Sequence, residues 1–226
     1  WKKTKDLFSF GKWILISSVL LLFLNQGDSI LIGKVLSASA LGIYQISYKI
    51  GRMIPTEISH SISMISFPAL SKLQTSFKRL KYNYLKILKV TAFLSIPISA
   101  GIFFITPQFV PLFLGRKWEE AIPVIKLLSV LGIFISIGST TTDVFKAKGK
   151  PYITTKAQVI RILIMFSMIY PLMIKFDVLG AALAVLISEI FINIYLWYKV
   201  INTIKCSTLN FLNKIILPFI CSIVMV

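Results

Sequence analysis

Eight ionisable side chains lie inside stretches of sequence that are otherwise almost entirely apolar. They are Asp28, Lys49, Arg52, Glu57, His60, Asp143, Arg161 and Glu189. A charge at the centre of a bilayer costs about 2.5–3.5 kcal/mol on insertion scales, so such groups usually face a bundle interior or a wet cavity. Lysine offers phosphate a point charge and arginine a bidentate fork. These residues therefore indicate a site for a charged ligand within a membrane.

The segment 40–68 has the clearest polar pattern. At about 100° per residue, one set of polar side chains shares roughly a 100° arc, and isoleucines occupy the remainder. The set comprises Gln45, Lys49, Arg52, Thr56, Ser59, His60 and Ser63. Two cations one turn apart repel each other, so the stripe favours a cavity that holds water or an anion. Glu57 lies off this stripe and is a candidate partner for a neighbouring helix.

Further polar residues extend the predicted cavity. Arg161 aligns with Gln158 and could be neutralised by either Asp143 or Glu189. The Ser/Gly face of 119–146 fits either a cavity wall or close helix packing. An anion with a hydrophobic attachment fits best, such as the pyrophosphate of a lipid-linked sugar. We expect Lys49, Arg52 and Arg161 to bind the headgroup phosphate. We expect the cavity to be lined by Gln45, Thr56, Ser59, His60, Asn25, Asp28 and Gln158, and ion coupling to involve Asp28, Asp143 and Glu189.

The elements that position these residues are apolar blocks. Of 226 residues, 56% are hydrophobic and 15% are charged, with a mean hydropathy of +0.83; soluble domains carry about 25% charged residues. Blocks long enough to cross a core roughly 30 Å thick lie near 8–34, 40–68, 84–106, 119–146, 152–174 and 178–200. A seventh, within 206–226, stops in an apolar run. We predict an all-α polytopic bundle over 1–205, with a truncated seventh span, cut from a longer protein.

Basic residues sit mainly on one side of this predicted bundle. If the N-terminus is cytoplasmic, 17 basic residues flank the inner side and 4 the outer side, which are Lys34, Arg116, Lys117 and Lys175. This asymmetry is the one the positive-inside rule predicts. It explains the formal charge of +17 without a nucleic-acid partner. We expect the basic inner loop at about 69–84 to lie on the anionic leaflet as an amphipathic segment, so membrane lipid is a partner.

Several short motifs, in order, resemble the second half of Wzx-type polysaccharide flippases of the multidrug/oligosaccharidyl-lipid/polysaccharide exporter superfamily. They are Phe10-Gly11-Lys12-Trp13, Gly27–Gly33, Leu41-Gly42-Ile43-Tyr44, Pro55, Ser66–Ser71, Pro111–Gly115, Trp118–Pro123, Lys148-Gly149-Lys150 and Gly180-Ala181-Ala182. The resemblance covers essentially residues 8–200.

The resemblance implies one six-helix lobe of a two-lobe transporter with a central cavity, plus part of a further helix. It implies that the lobes rock between inward-open and outward-open states. The task would be to move an O-antigen or capsule-type repeat unit on polyprenyl pyrophosphate across the bacterial cytoplasmic membrane. The N-terminal lobe of the same protein would then be a partner.

Three other functions stay open. A multidrug or lipid II exporter would share the fold, and a membrane-embedded polysaccharide polymerase or ligase would need a sizeable outer loop. The sequence has no glycine-rich phosphate loop, nucleophile elbow or metal-ligand cluster. We therefore expect neither an enzyme nor a cofactor or metal.

Overall fold

The computed structural model describes residues 2–209, 211, 214–215 and 218–219; the side chains of residues 2–10 and of Asn25 fall outside it. All regular structure in this part of the chain is helical. The helices are α1 (Lys2–Val35), α2 (Ala38–Gly51), α3 (Met53–Lys72), α4 (Phe77–Phe109), α5 (Ala121–Ala147) and α6 (Pro151–Ile204). A π-helical turn (Val110–Leu114) and a 3₁₀ turn (Arg116–Trp118) join α4 to α5. The predicted seventh span lies mostly outside the described residues.

The helices pass up and down through one bundle. Tyr84 and Thr141 hydroxyls, near the start of α4 and the end of α5, are 3.0 Å apart. Lys81 Nζ donates to the Lys205 carbonyl at 3.2 Å, and the hydroxyls of Ser17 on α1 and Thr155 near the start of α6 are 2.6 Å apart. The connections 73–76 and 148–150 and residue 205 therefore share one end, called here the basic end. Residues 36–37, 110–120 and 176–177 lie at the opposite end.

Helix α6 consists of two antiparallel arms. Phe176 and Asp177 have non-helical backbone angles, with φ 49° at Asp177. A Cβ on Gly180 would collide with the Leu172 carbonyl, although the two residues would be far apart in a straight helix. The chain therefore reverses at 176–177, and residues 151–175 pack against residues 178–204.

Four helical segments in the described part of the chain are long and apolar enough to cross a membrane. They are Gly11–Val35, Phe77–Leu114, Ala121–Ala147 and Pro151–Ile204. The apolar block 40–68 instead divides into α2 and α3 at Arg52. Together with the family relationship reported below, these helices make the chain a multi-pass membrane protein.

The segment 69–84, predicted to be a basic loop, is mostly helical, and its position on the anionic leaflet stays a prediction. Helix α3 continues to Lys72 and α4 already begins at Phe77, so only 73–76 connects them. The sequence alone did not show that the basic residues from 78 onward belong to the same helix as the apolar block that follows.

Helix α5 is the centre of the bundle and packs against α2, α3, α4 and α6. Its small residues allow close approach: a Cβ on Gly132 would lie 3.0 Å from the Pro55 side chain. Ser136 donates to the Pro55 carbonyl at 2.9 Å, and Thr140 and Thr91 hydroxyls are 3.2 Å apart. Most of the Ser/Gly face therefore serves helix packing, as small residues do in membrane bundles.

Candidate functional site

A polar groove runs between α1 and α2, with a volume of about 270 Å³. Lys49 and Gln45 are exposed along it, one helical turn apart. It is lined by Gln26, Ser29, Tyr44, Gln45, Tyr48 and Lys49. We call it the Lys49 groove. Its one cation, set among amide and hydroxyl groups, suits an anion that carries hydrogen-bonding substituents.

Asp28 lies behind this groove and is not open to it. The Tyr44 hydroxyl donates to Asp28 Oδ2 at 2.6 Å, and the Ser29 backbone N–H donates to Oδ1 at 2.7 Å. Both Asp28 and Tyr44 are 1% exposed. Asp28 therefore fixes the position of Tyr44, which forms part of the groove wall.

Arg52 occupies the break between α2 and α3. It is 9% exposed, and its guanidinium carbon lies 4.4 Å from the centre of the Tyr48 ring, a cation–π distance. The break between the two helices therefore holds a mostly buried cation over an aromatic ring.

Glu189, and not Asp143, is the partner of Arg161. Arg161 Nη1 lies 2.8 Å from Glu189 Oε2, and both side chains are mostly buried. Asn193 Nδ2 donates to Glu189 Oε1 at 2.9 Å. Because 161 and 189 face each other across the α6 turn, the hairpin itself places the two charges together.

A second cavity, of about 290 Å³, lies between α1, α5 and the two arms of α6. We call it the Arg161 cavity. Its polar walls include Ser17, Ser139, Thr142, Gln158, Arg161 and Glu189. Lys146 also contributes, towards the basic end. Gln158 Oε1 and Arg161 Nε are buried without a hydrogen-bond partner among the described residues. The wall of this cavity therefore contains a buried acceptor and a buried donor.

The predicted stripe on 40–68 is divided by the break at Arg52. Ser59 is buried, and its hydroxyl lies 2.9 Å from that of Ser139 on α5. His60 is exposed and Thr56 is half-buried, with its hydroxyl donating to the Met53 carbonyl at 2.8 Å. Glu57 is exposed on the same side of α3 as His60.

Of the remaining predicted residues, Asp143 lies apart from both cavities and the side chain of Asn25 is not described. Asp143 is buried nearer the basic end, where Ser66 donates to Oδ2 at 3.2 Å and Lys146 Nζ lies 4.0 Å from Oδ1. The side chain of Asn25 lies outside the described residues.

The sequence reasoning missed the aromatic part of the site. Tyr44 and Tyr48 precede Arg52 by eight and four residues, so all three share a helical face. Asn193 likewise follows Glu189 by four residues. These i, i+4 spacings were readable signals, and they would have added Tyr48 and Asn193 to the candidate residues.

Comparison with known proteins decides the family. A family model described as "Polysaccharide biosynthesis protein" matches residues 1–123, more than half of the chain. The chain belongs to this family. The resemblance to Wzx-type polysaccharide exporters is therefore confirmed.

Curated relatives align with 65–95% of the chain. Lipopolysaccharide biosynthesis protein WzxC of Escherichia coli (strain K12) is 26% identical over 215 residues, which is 95% of this chain and 44% of the relative. Teichuronic acid biosynthesis protein TuaB of Bacillus subtilis (strain 168) is 30% identical over 146 residues, which is 65% of this chain and 30% of the relative. A protein named "Probable low-salt glycan biosynthesis flippase Agl15" of Haloferax volcanii is 23% identical over 189 residues, covering 83% and 40%. No solved structure gives a significant match.

The family match covers one of the two cavities. Residues 1–123 contain the Lys49 groove and Arg52, whereas Arg161 and Glu189 lie beyond them. The chain spans less than half the length of these curated relatives.

Proposed function

We propose that this chain is one lobe of a flippase that moves a lipid-pyrophosphate-linked oligosaccharide across the bacterial cytoplasmic membrane. The lobe comprises residues 1–205 with six passes, and its N-terminus is cytoplasmic. It works with a second lobe by alternating access during surface polysaccharide assembly. The membership in the polysaccharide biosynthesis family and the relatives' greater length support this assignment.

The observation that carries the proposal is the exposed Lys49 in a polar groove between α1 and α2. A transporter needs such a cation part-way along its helices, where it binds phosphate on entry and releases it on exit. Arg52, held over Tyr48 behind the groove, adds positive potential without itself being exposed. The Lys49 groove is therefore the proposed pyrophosphate position.

The Arg161 cavity has a different role in this proposal, because Glu189 neutralises Arg161. Of the three carboxylates expected to take part in ion coupling, Glu189 is the one that lines either of the two cavities described above. We therefore place ion coupling at Glu189, with Asp28 positioning Tyr44 and Asp143 bonded to Ser66.

The test is Lys49→Ala in the full-length protein, in cells that depend on it for surface polysaccharide. A hydrogen bond to a charged group contributes about 1.5–3 kcal/mol, so we expect transport to fall roughly 10- to 100-fold. Lipid-linked oligosaccharide should accumulate at the inner leaflet, and Lys49→Arg should restore part of the activity.

The matched control is Lys34→Ala, an exposed lysine at the end of α1. It should leave surface polysaccharide unchanged. Normal polysaccharide in the Lys49→Ala strain, at normal protein level, would remove Lys49 from the substrate site.

A further inference from the structure

Helix α4 is longer than a membrane crossing requires. Its last charged residue is Lys89, and the 25 residues from Val90 to Leu114 carry no charge. At 1.5 Å per residue these cover about 37 Å, enough for a core roughly 30 Å thick. Residues 77–89 therefore form a helical extension beyond the apolar layer, at the basic end.

One face of this extension is basic and exposed. Lys78, Tyr82, Lys86 and Lys89 are all exposed, and their spacing of four, four and three residues places them within about an 80° arc. We call these four residues the α4 basic stripe. The opposite face is fixed in place, because Leu80, Tyr84 and Leu88 are fully buried against the bundle. The α4 basic stripe therefore faces away from the bundle in a fixed orientation.

The stripe has no acidic partner within the part of the chain whose side chains are described. The ion pairs found there are Lys146–Asp143 and Arg161–Glu189. Like charges three residues apart, such as Lys86 and Lys89, repel each other. An external anion would remove this repulsion.

A neighbouring loop strengthens the positive potential. Lys148 Nζ lies 3.7 Å from the centre of the ring of Phe77, the first residue of α4. The loop 148–150 therefore adds cations beside the start of the stripe.

Exposed apolar side chains follow directly after Lys89 on the same helix. Val90 is 46% exposed, Phe93 56% and Leu94 40%. Phe93 lies four residues after Lys89, in line with the stripe. A surface that changes from lysines to exposed apolar groups matches a phospholipid from phosphate to acyl chain.

We propose that the α4 basic stripe binds the headgroup of an anionic phospholipid, whose acyl chains lie along Val90, Phe93 and Leu94. An acidic soluble protein would satisfy the lysines but leave these apolar side chains uncovered. The lipid satisfies both halves of the surface.

The experiment measures lipid binding to the detergent-purified full-length protein by native mass spectrometry. The probes are phosphatidylglycerol and phosphatidylcholine with identical acyl chains. The variant combines Lys78→Gln, Lys86→Gln and Lys89→Gln. A lysine near an anionic surface contributes roughly fivefold in affinity, so phosphatidylglycerol binding should weaken about 100-fold while phosphatidylcholine binding stays constant.

The control combines Lys34→Gln, Lys117→Gln and Lys175→Gln, which removes the same charge from exposed positions at the opposite end. Its phosphatidylglycerol affinity should change by less than about threefold. Equal binding of both lipids to the unaltered protein, or an equal loss in both variants, overturns the proposal.

Two further measurements distinguish lipid binding from a simple anion site and from poor folding of the triple variant. Inorganic phosphate should not displace phosphatidylglycerol; displacement at equal concentration would identify a simple anion site and refute the lipid assignment. Lys86→Gln alone should weaken binding roughly fivefold, which keeps the proposal testable if the triple variant is poorly folded. None of these measurements depends on transport activity.

Discussion

Replacing Glu189 by Gln should leave the Arg161 guanidinium buried without a charged partner. The two side chains are 11% and 7% exposed, and their charged atoms are 2.8 Å apart. Removing one member of a buried ion pair costs about 3–5 kcal/mol, because the other charge stays buried and uncompensated. Gln retains an oxygen for Asn193, so most of this loss in unfolding free energy reports the Arg161 charge.

A double variant distinguishes the loss of the ion-pair attraction from the cost of leaving one buried charge unpaired. Arg161→Met combined with Glu189→Met removes both charges and keeps similar volume. Replacing a whole buried pair by apolar residues is often neutral. We therefore expect the double variant to regain most of the stability that Glu189→Gln loses.

The assay is equilibrium unfolding of the full-length protein in mixed micelles, followed by circular dichroism. Lys146→Met is the control, since Lys146 is 42% exposed and lies 4.0 Å from Asp143. Its cost should stay below about 1 kcal/mol. The reasoning would be refuted if Glu189→Gln lowered the unfolding free energy by less than about 1 kcal/mol. It would also be refuted if the double variant were no more stable than the Glu189→Gln variant.

Two backbone substitutions test the turn in α6 by the same unfolding measurement. Gly180→Ala should lower the unfolding free energy by about 1–3 kcal/mol, because its Cβ would strike the Leu172 carbonyl; Gly101→Ala, with no atom nearby, should cost nothing. Asp177→Gly should raise stability by about 1 kcal/mol, since Asp177 has a φ of 49°. Unchanged stability in Gly180→Ala, or a loss in Asp177→Gly, would contradict the described turn.

The helical pattern on 40–68 put the polar residues on one face, but it did not tell which of them are exposed and which pack against another helix. Periodicity assumes one uninterrupted helix, and the break at Arg52 changes the direction of the face that follows. Lys49 is therefore exposed, while Ser59, on the same predicted arc, is buried against Ser139. The sequence did hold a signal for this break, because Pro55 cannot donate a backbone hydrogen bond to the Gly51 carbonyl four residues earlier.

The sequence left the ion-pair partner of Arg161 undecided for a related reason. Asp143 and Glu189 both lie in apolar helices, and sequence spacing does not tell which helix is adjacent. The reversal at Phe176–Asp177 decides it by bringing 161 opposite 189. The membrane character and the helical class, in contrast, follow from composition and block length, which do not depend on neighbours.

The turn between the arms of α6 also bears on biogenesis. Either arm alone would carry a lone charge, Arg161 or Glu189, into the lipid, at about 2.5–3.5 kcal/mol for a central position. Leaving the translocon as a preformed pair, the arms would enter with their charges already matched. We therefore expect residues 151–204 to be released into the bilayer together, after the ribosome has completed the second arm.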